Sequence, residues 1–227
     1  MATFVVVHGG WGGGWEWRDV EALLSADGHE VSRVTLTGLG ERAHLFSSAV
    51  NLDTHVEDVV RHLECDDLDR VVLVGHSYGG MVVTGVADRV PERIVQLVYV
   101  DAFVPHDGES LLDLLPDDFG GMLRGSAAGG RVPPPGEGPA YPRWYLDRIT
   151  DHPLAAFEQP LRREGDDNGV ATTYIRCTRS DIPLEASMER GRDAGWTMRE
   201  LATEHDAHVF DPEGLARLLS AAAASSP

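Results

Sequence analysis

The stretch VVLVGHSYGG, residues 71–80, decides the fold. An apolar, β-branched run leads into Gly75, and a helical pattern begins just after Ser77. The sequence between them reads G-x-S-x-G, and its glycines permit a sharp turn that lifts the serine hydroxyl clear of the strand end. The alternative is an ordinary strand–helix turn with an incidental serine. Because the motif and the elements around it agree, the pattern predicts a nucleophile elbow with Ser77 as the nucleophile.

Around this turn, apolar runs alternate with amphipathic helical patterns. Val, Ile and Leu fill several runs almost continuously, as in a sheet that is covered on both faces. The predicted strands are 3–7, 31–36, 70–74, 94–100, 171–177 and 196–202, and the predicted helices are 16–27, 51–64, 77–90, 184–194 and 212–223. This alternation predicts an α/β fold with a doubly wound, mainly parallel six-stranded sheet. Ligands of such sheets bind at the carboxyl ends of the strands.

One long segment interrupts the alternation. No strand is evident from about residue 105 to 167, where two short helical patches lie near 141–149 and 153–163. Compact domains rarely contain a structureless loop of this length unless it is functional. We therefore predict a core formed by 1–104 and 168–227, with 105–167 inserted as a small helical cap or lid.

Composition restricts the function classes. The formal net charge of the 227 residues is −18 and no lysine occurs, which argues against nucleic acid or an anionic membrane as partner and excludes Schiff-base chemistry. Cys65 and Cys177 lie in no metal-binding or redox spacing. We expect no cofactor and no metal, a small ester-like molecule as the partner, and, since neither a signal peptide nor a membrane span is evident, a soluble cytoplasmic protein.

A serine nucleophile requires a histidine base and an acid that orients it. His205 follows the last predicted strand and precedes the last helix, so we expect it at the same sheet edge as Ser77 and favour it over His208. For the acid, Asp181 follows the fifth strand and Asp101 directly follows the fourth. Both can reach a histidine at that edge. We favour Asp181, with Asp101 lining the pocket.

The glycines of HGGWGGGWEW, residues 8–17, follow the first strand. No register of them fits the dinucleotide-binding spacing, and a phosphate-binding lysine is missing. A loop at this position commonly supplies the second amide of an oxyanion hole, whose first amide follows the nucleophile. We assign these two amides to Gly10 and Tyr78, with Trp11 as the alternative to Gly10. His8 is expected to be a structural hydrogen-bonding residue.

These residues resemble the α/β-hydrolase superfamily. Within it they are similar to the group of plant methyl esterases, the salicylic-acid-binding esterase and hydroxynitrile lyases, with their bacterial esterase relatives. The matching stretches are VVVHGGWGGGWEW, LLSADGHEV, VVLVGHSYGGM, YIRCTRSDIP and TEHDAHVFDPEGLA. The resemblance implies a triad of Ser77, Asp181 and His205 with oxyanion amides at Gly10 and Tyr78, and it favours Asp181 as the acid. The cap region matches poorly.

Two departures from the lyases of this group bear on the reaction. Those lyases typically carry Thr after the strand-end His and Lys after the catalytic His, where this chain has Gly9 and Asp206. The sequence therefore favours ester hydrolysis over lyase chemistry. We expect a serine esterase for a small or aromatic carboxylic ester, with a pocket near Trp11, Asp101, Phe103 and Trp144. The alternatives are a lyase, lactone-opening, cyclising or thioester-cleaving step with the same triad, and a ligand receptor without turnover.

Overall fold

The computed structural model describes residues 1–135, 141–164 and 169–224. The strands in these residues are β1 (Thr3–Val7), β2 (Glu30–Val34), β3 (Val71–His76), β4 (Ile94–Val100), β5 (Arg131–Val132), β6 (His152–Pro153), β7 (Thr172–Cys177) and β8 (Thr197–Leu201). The helices are α1 (Arg18–Ala26), α2 (Leu52–Cys65), α3 (Gly79–Arg89), α4 (Asp117–Ser126), α5 (Arg143–Leu146), α6 (Leu154–Glu158), α7 (Glu185–Asp193), α8 (Ala207–Phe210) and α9 (Pro212–Ala224). Short 3₁₀ turns lie at Gly14–Trp17, Gly40–Leu45, Pro91–Arg93 and Leu112–Leu114.

Six strands form one parallel sheet in the order β2-β1-β3-β4-β7-β8. The predicted doubly wound α/β fold is therefore confirmed. Side chains of β1 alternate between two hydrophobic cores, because successive residues of a strand point to opposite faces. Phe4 and Val6 pack with α1 and α9, whereas Val5 and Val7 pack with α2 and α3. Helices on both faces explain why β3 is buried along its whole length.

The segment between β4 and β7 contains α4, α5 and α6 and the two short strands β5 and β6. These two strands pair antiparallel outside the main sheet, with Arg131 opposite Pro153 and Val132 opposite His152. The sequence predicts neither these strands nor α4, because two-residue strands carry no periodic signal and α4 contains three glycines. The predicted cap limit at residue 167 lies outside the described residues, and the division into core and cap stays a prediction.

The parallel sheet brings several loops to one edge, because all of its strands end there. Gly9 follows β1, Ser77 follows β3, and Asp101 follows β4. His205 lies in the loop after β8. In the described part of the chain, no helix is long and apolar enough to cross a membrane.

Candidate active site

Ser77 occupies the turn between β3 and α3 in a left-handed backbone conformation, with φ of 52°. Its amide donates to the carbonyl of Val100, which ties the turn to the end of β4. Close packing requires the flanking glycines. A Cβ atom on Gly75 would lie 2.6 Å from the Val83 side chain, and one on Gly79 would lie 2.7 Å from the carbonyl oxygen of His8. The turn therefore has the geometry expected of a nucleophile elbow.

His205 is paired with Asp101. Its Nδ1 atom lies 2.7 Å from Oδ2 of Asp101, and the other carboxylate oxygen accepts the amide of Cys177 at 2.9 Å. Asp101 is almost fully buried and has a φ of 43°. The amide hydrogen bond and the burial fix the carboxylate, so the His205 ring is oriented with Nδ1 toward Asp101.

The preference for Asp181 as the partner of His205 is not supported by this arrangement. Asp181 follows β7, as predicted, but it is exposed and reaches His205 only as a more distant charge. Ser180, its neighbour, has its Oγ 3.5 Å from His205 Nδ1. Asp101 is better placed to reach His205, because β4 lies beside β3 and Asp101 is the first residue after β4. Asp101, which the sequence is expected to place along the pocket, is hydrogen-bonded to His205.

The glycine loop, defined as residues 8–14, lies against the elbow. Among the described residues, the amides of Gly10 and Tyr78 have no protein acceptor. The amide of Trp11 donates to His152 Nδ1 at 3.2 Å, so it is already engaged. Of the two candidates in this loop, Gly10 is therefore the one whose amide is available for an oxyanion.

Gly9 contacts the elbow directly. A Cβ atom at this position would lie 2.9 Å from His76 Nδ1 and 3.0 Å from the Cβ of Ser77. Distances this short force a neighbour to move. The threonine found at this place in the lyases would therefore not fit the present arrangement.

The predicted pocket residues lie in different places. Trp11, with φ of 62°, donates through Nε1 to the carbonyl of Val132 and packs edge-on against Phe157. Phe103 is buried in the larger core, and its amide donates to the carbonyl of Ser77. Trp144 packs instead against Trp15, beneath the guanidinium of Arg18. Phe103 therefore lies at the elbow, Trp11 contacts the segment after β4, and the contacts of Trp144 are with the start of α1.

Sequence reasoning missed an aromatic cluster that covers the glycine loop. His152 stacks on Phe157 with ring centroids 4.0 Å apart and lies 4.8 Å from the ring of Tyr78. The Tyr78 hydroxyl is 2.8 Å from Nδ1 of His55. Phe157 is also the nearest neighbour that a Cβ on Gly10 would meet, at 3.5 Å. No motif marks His152 or Phe157, because they meet Tyr78 and the glycine loop only when the segment after β4 folds over β1 and β3.

A second carboxylate, that of Asp206, lies beside His76. Oδ1 of Asp206 lies 3.6 Å from His76 Nε2, and its Oδ2 accepts a short hydrogen bond from the hydroxyl of Tyr141. Burial lowers the pKa of His205, but the Asp101 hydrogen bond, with the charge of Asp206, outweighs it and the net pKa is raised. The site therefore favours the imidazolium form of His205 more than water does.

Other histidines around the site stay neutral. Burial lowers the pKa of His8 to about 3 and that of His76 to about 4, and it lowers the pKa of His208 strongly. His8 donates through Nδ1 to the carbonyl of Gly9 while its Nε2 accepts the amide of Leu36, so it holds the glycine loop to the chain after β2. These rings act as hydrogen-bonding and packing groups at neutral pH.

Two sets of side chains bring potential metal ligands together in the described residues. The first is Glu16, His76 and His208, and the second is His76, His205 and Asp206. Within each set the ligand atoms lie within 4.8 Å of one another. Both sets share His76, whose ring packs between those of His205 and His208 at 4.7 and 4.8 Å.

Comparison with known proteins identifies the family and the fold. The model of a family described as "Alpha/beta hydrolase family" matches residues 4–218. The chain belongs to this family. Among solved structures, the alpha/beta hydrolase fold of this chain superposes on an extracellular alpha/beta-hydrolase from a Paenibacillus species. The TM-score is 0.86 at 23% identity, with 98% of this chain and 99% of that one covered.

Several relatives of this alpha/beta hydrolase are named as esterases. It is 41% identical to the carbendazim hydrolyzing esterase of Nocardioides sp. (strain SG-4G), with 97% of this chain and 99% of that protein covered. Salicylic acid-binding protein 2 of Nicotiana tabacum is 34% identical over 45% of this chain and 40% of its own length. This alpha/beta hydrolase is accordingly of the carboxylesterase type, and its relatives do not favour the lyase, lactone or thioester alternatives.

Proposed function

We propose that this protein hydrolyses small carboxylic esters through a triad of Ser77, His205 and Asp101 and an acyl-enzyme. The observation that carries the proposal is the hydrogen bond between His205 Nδ1 and Asp101 Oδ2, at the sheet edge where Ser77 occupies its turn. A serine without an oriented base is a weak nucleophile, and this pair supplies the orientation. Asp101 takes the place that the sequence analysis assigns to Asp181.

In the first half of the reaction, Ser77 Oγ attacks the ester carbonyl while His205 Nε2 accepts its proton. The amides of Gly10 and Tyr78 donate to the resulting oxyanion, a contribution worth roughly 3–4 kcal/mol per donor in related sites. His205 then passes the proton to the leaving alcohol and the C–O bond breaks. In the second half, water attacks the acyl-enzyme, His205 takes the water's proton and returns it to Ser77, and the carboxylic acid leaves.

The aromatic cluster over the glycine loop limits the size of the substrate's acyl group. Phe157 and His152 pack against Gly10, so an acyl group next to this amide meets aromatic walls. We propose that the acyl side takes a small or flat aromatic group, with a small alcohol such as methanol leaving. Because the relative from Nocardioides is named for carbendazim, that compound belongs in the substrate panel beside methyl benzoate and p-nitrophenyl acetate.

The test compares two serine variants. Ser77→Ala should lower kcat on p-nitrophenyl acetate by about 10⁴-fold or more, because removal of a triad nucleophile leaves only binding and oxyanion contributions. Ser180→Ala is the matched control, since its hydroxyl lies 3.5 Å from the same histidine without being at the elbow. It should retain activity within a few-fold.

Covalent labelling provides a second measurement. A serine-directed phosphonate should add one mass increment to the wild type and to Ser180→Ala, on the peptide that contains Ser77, and none to Ser77→Ala. Unchanged hydrolysis by Ser77→Ala, or labelling at another residue, would contradict the proposal.

A further inference from the structure

Glu16 carries a carboxyl group that is enclosed by the glycine loop. Glu16 is only 2% exposed, although a carboxylate is rarely buried without partners. A Cβ atom on Gly12 would lie 2.2 Å from Glu16 Oε2 and 2.8 Å from Oε1. The loop backbone therefore passes directly over the carboxyl group, and only a residue without a side chain leaves room for it at position 12.

The backbone of the loop also affects the charge of this group. The amide of Glu16 donates to the carbonyl of Gly13, and the backbone of Gly13 and Gly9 lowers the pKa of the carboxyl group. Burial and the neighbouring Asp206 outweigh them and hold the pKa of Glu16 well above its usual range. A carboxylic acid that keeps its proton can donate it as well as accept from the loop.

On its other side Glu16 faces the segment that carries the base. Its Oε1 lies 3.6 Å from Nε2 of His208, and the His208 ring stacks on Trp17 at 5.0 Å and 11°. Among the described residues, neither ring nitrogen of His208 has a hydrogen-bond partner, and Oε2 of Glu16 also has none. His208 follows His205 by three residues, at the start of α8.

We propose that Glu16 and His208 form a buried positioning pair that couples the glycine loop to the segment carrying His205. The pair touches no substrate. It acts through Gly10 on one side and through His205 on the other, so that the oxyanion amide and the base keep their relative placement. This inference rests on the proposed esterase function, and it assigns a role to two residues that the triad does not use.

Such a pair matters because catalytic rates are sensitive to small changes in the position of catalytic groups. A shift of about 1 Å in a catalytic group can lower a rate by roughly 10²-fold. The glycine loop lacks side chains of its own to fix it over residues 12–14. An enclosed carboxyl group gives it one internal partner, and His208 connects that partner to α8.

The test compares Glu16→Ala, Glu16→Gln and His208→Phe on p-nitrophenyl acetate. Glu16→Ala should lower kcat at least tenfold with KM unchanged within about twofold, since the pair acts on the oxyanion amide and the base rather than on ground-state binding. Glu16→Gln should restore kcat to within a few-fold, because an amide accepts from the loop and donates to His208. His208→Phe keeps the stacking on Trp17 but should lower kcat about as much as Glu16→Ala.

Glu21→Ala is the matched control, because Glu21 lies one turn further on and pairs with Arg33 at the surface. It should leave kcat and KM unchanged. A folded Glu16→Ala or His208→Phe enzyme with wild-type kcat would overturn the pairing, as would Glu16→Gln that is no better than Glu16→Ala. If Glu16→Ala does not fold, Glu16→Gln and His208→Phe still decide the question.

A further measurement is the metal content of the purified wild type and of Glu16→Ala by elemental analysis. A stoichiometric metal that is missing from Glu16→Ala would also overturn the proposal, since Glu16 would then be a ligand. Failure of this inference is distinct from failure of the esterase proposal. The first leaves Ser77→Ala inactive and Glu16→Ala active, whereas the second leaves Ser77→Ala active.

Discussion

His205 Nδ1 lies 2.7 Å from Asp101 Oδ2, while Asp181, after the neighbouring strand, is exposed. The pairing follows from strand order. β4 lies between β3 and β7, so the residue after β4 is closer to the elbow than the residue after β7. The left-handed backbone of Asp101 and the hydrogen bond from the Cys177 amide direct its carboxylate toward the histidine.

This arrangement predicts unequal effects for the two carboxylates. Asp101→Asn should lower kcat by about 10⁴-fold, because the histidine loses the carboxylate that holds its tautomer and stabilises its charged form. Asp181→Asn should retain activity within a few-fold. Steady-state kinetics on p-nitrophenyl acetate measure both. Loss of activity in Asp181→Asn with retention in Asp101→Asn would identify Asp181 as the acid.

The pKa of His205 predicts an acid limb in the rate profile. The base must be neutral to accept the serine proton, and its pKa is raised above 6.5. We therefore expect kcat/KM to fall as pH decreases through a value above 6.5. Asp206→Asn removes one of the charges that raise this pKa, so its acid limb should move to lower pH. An acid limb that is unmoved in Asp206→Asn would contradict the electrostatic role of Asp206.

Adjacent glycines of the loop should differ sharply in their tolerance of a methyl group. Gly9→Ala places a Cβ 2.9 Å from His76 Nδ1 and 3.0 Å from Ser77, so it should displace the elbow and lower kcat by roughly 10–100-fold. Gly10→Ala places its Cβ 3.5 Å from Phe157, an ordinary contact, and keeps the amide. It should stay within a few-fold of wild type. Equal activities of the two folded variants would show that close packing at Gly9 does not limit the elbow.

Because several buried histidines are neutral, we expect the folded protein to lose stability in acid. The pKa of His8 is about 3 and those of His55 and His76 are about 4, against 6.5 when unfolded. The unfolded chain thus binds more protons between pH 6.5 and 4, and the free energy of unfolding should fall as pH decreases through this window. Each such histidine lowers the free energy of unfolding by about 1.4 kcal/mol for each pH unit within this window.

Urea unfolding at several pH values measures this dependence. His55→Gln should reduce the slope by about one proton, which is about 1.4 kcal/mol per pH unit. His44→Gln, at an exposed position, should leave the slope unchanged. A free energy of unfolding that is constant from pH 6.5 to 5 would contradict the buried neutral state of these rings.

The fold could be predicted from sequence because its signals are local. Continuous apolar runs identified the six strands of the main sheet within about two residues, and the glycines around Ser77 located the tight turn. The short strands β5 and β6 and helix α4 could not be predicted, since a two-residue strand has no period and α4 contains several glycines. The contacts of His152 and Phe157 with the glycine loop could not be predicted either, because residues this far apart in the chain meet only in the tertiary structure.

The α/β sheet, the tight turn at Ser77 and the sheet edge with His205 and both carboxylates could be predicted from sequence, because each depends on the chain within a few residues. Only the tertiary structure decided which carboxylate meets the histidine, because β4 and β7 both end at that edge and the choice depends on strand order and backbone direction. It also decided that the glycine loop encloses Glu16. Glu16 and His208 lie 192 residues apart in the chain, and only the packing of α8 against the start of α1 brings them together.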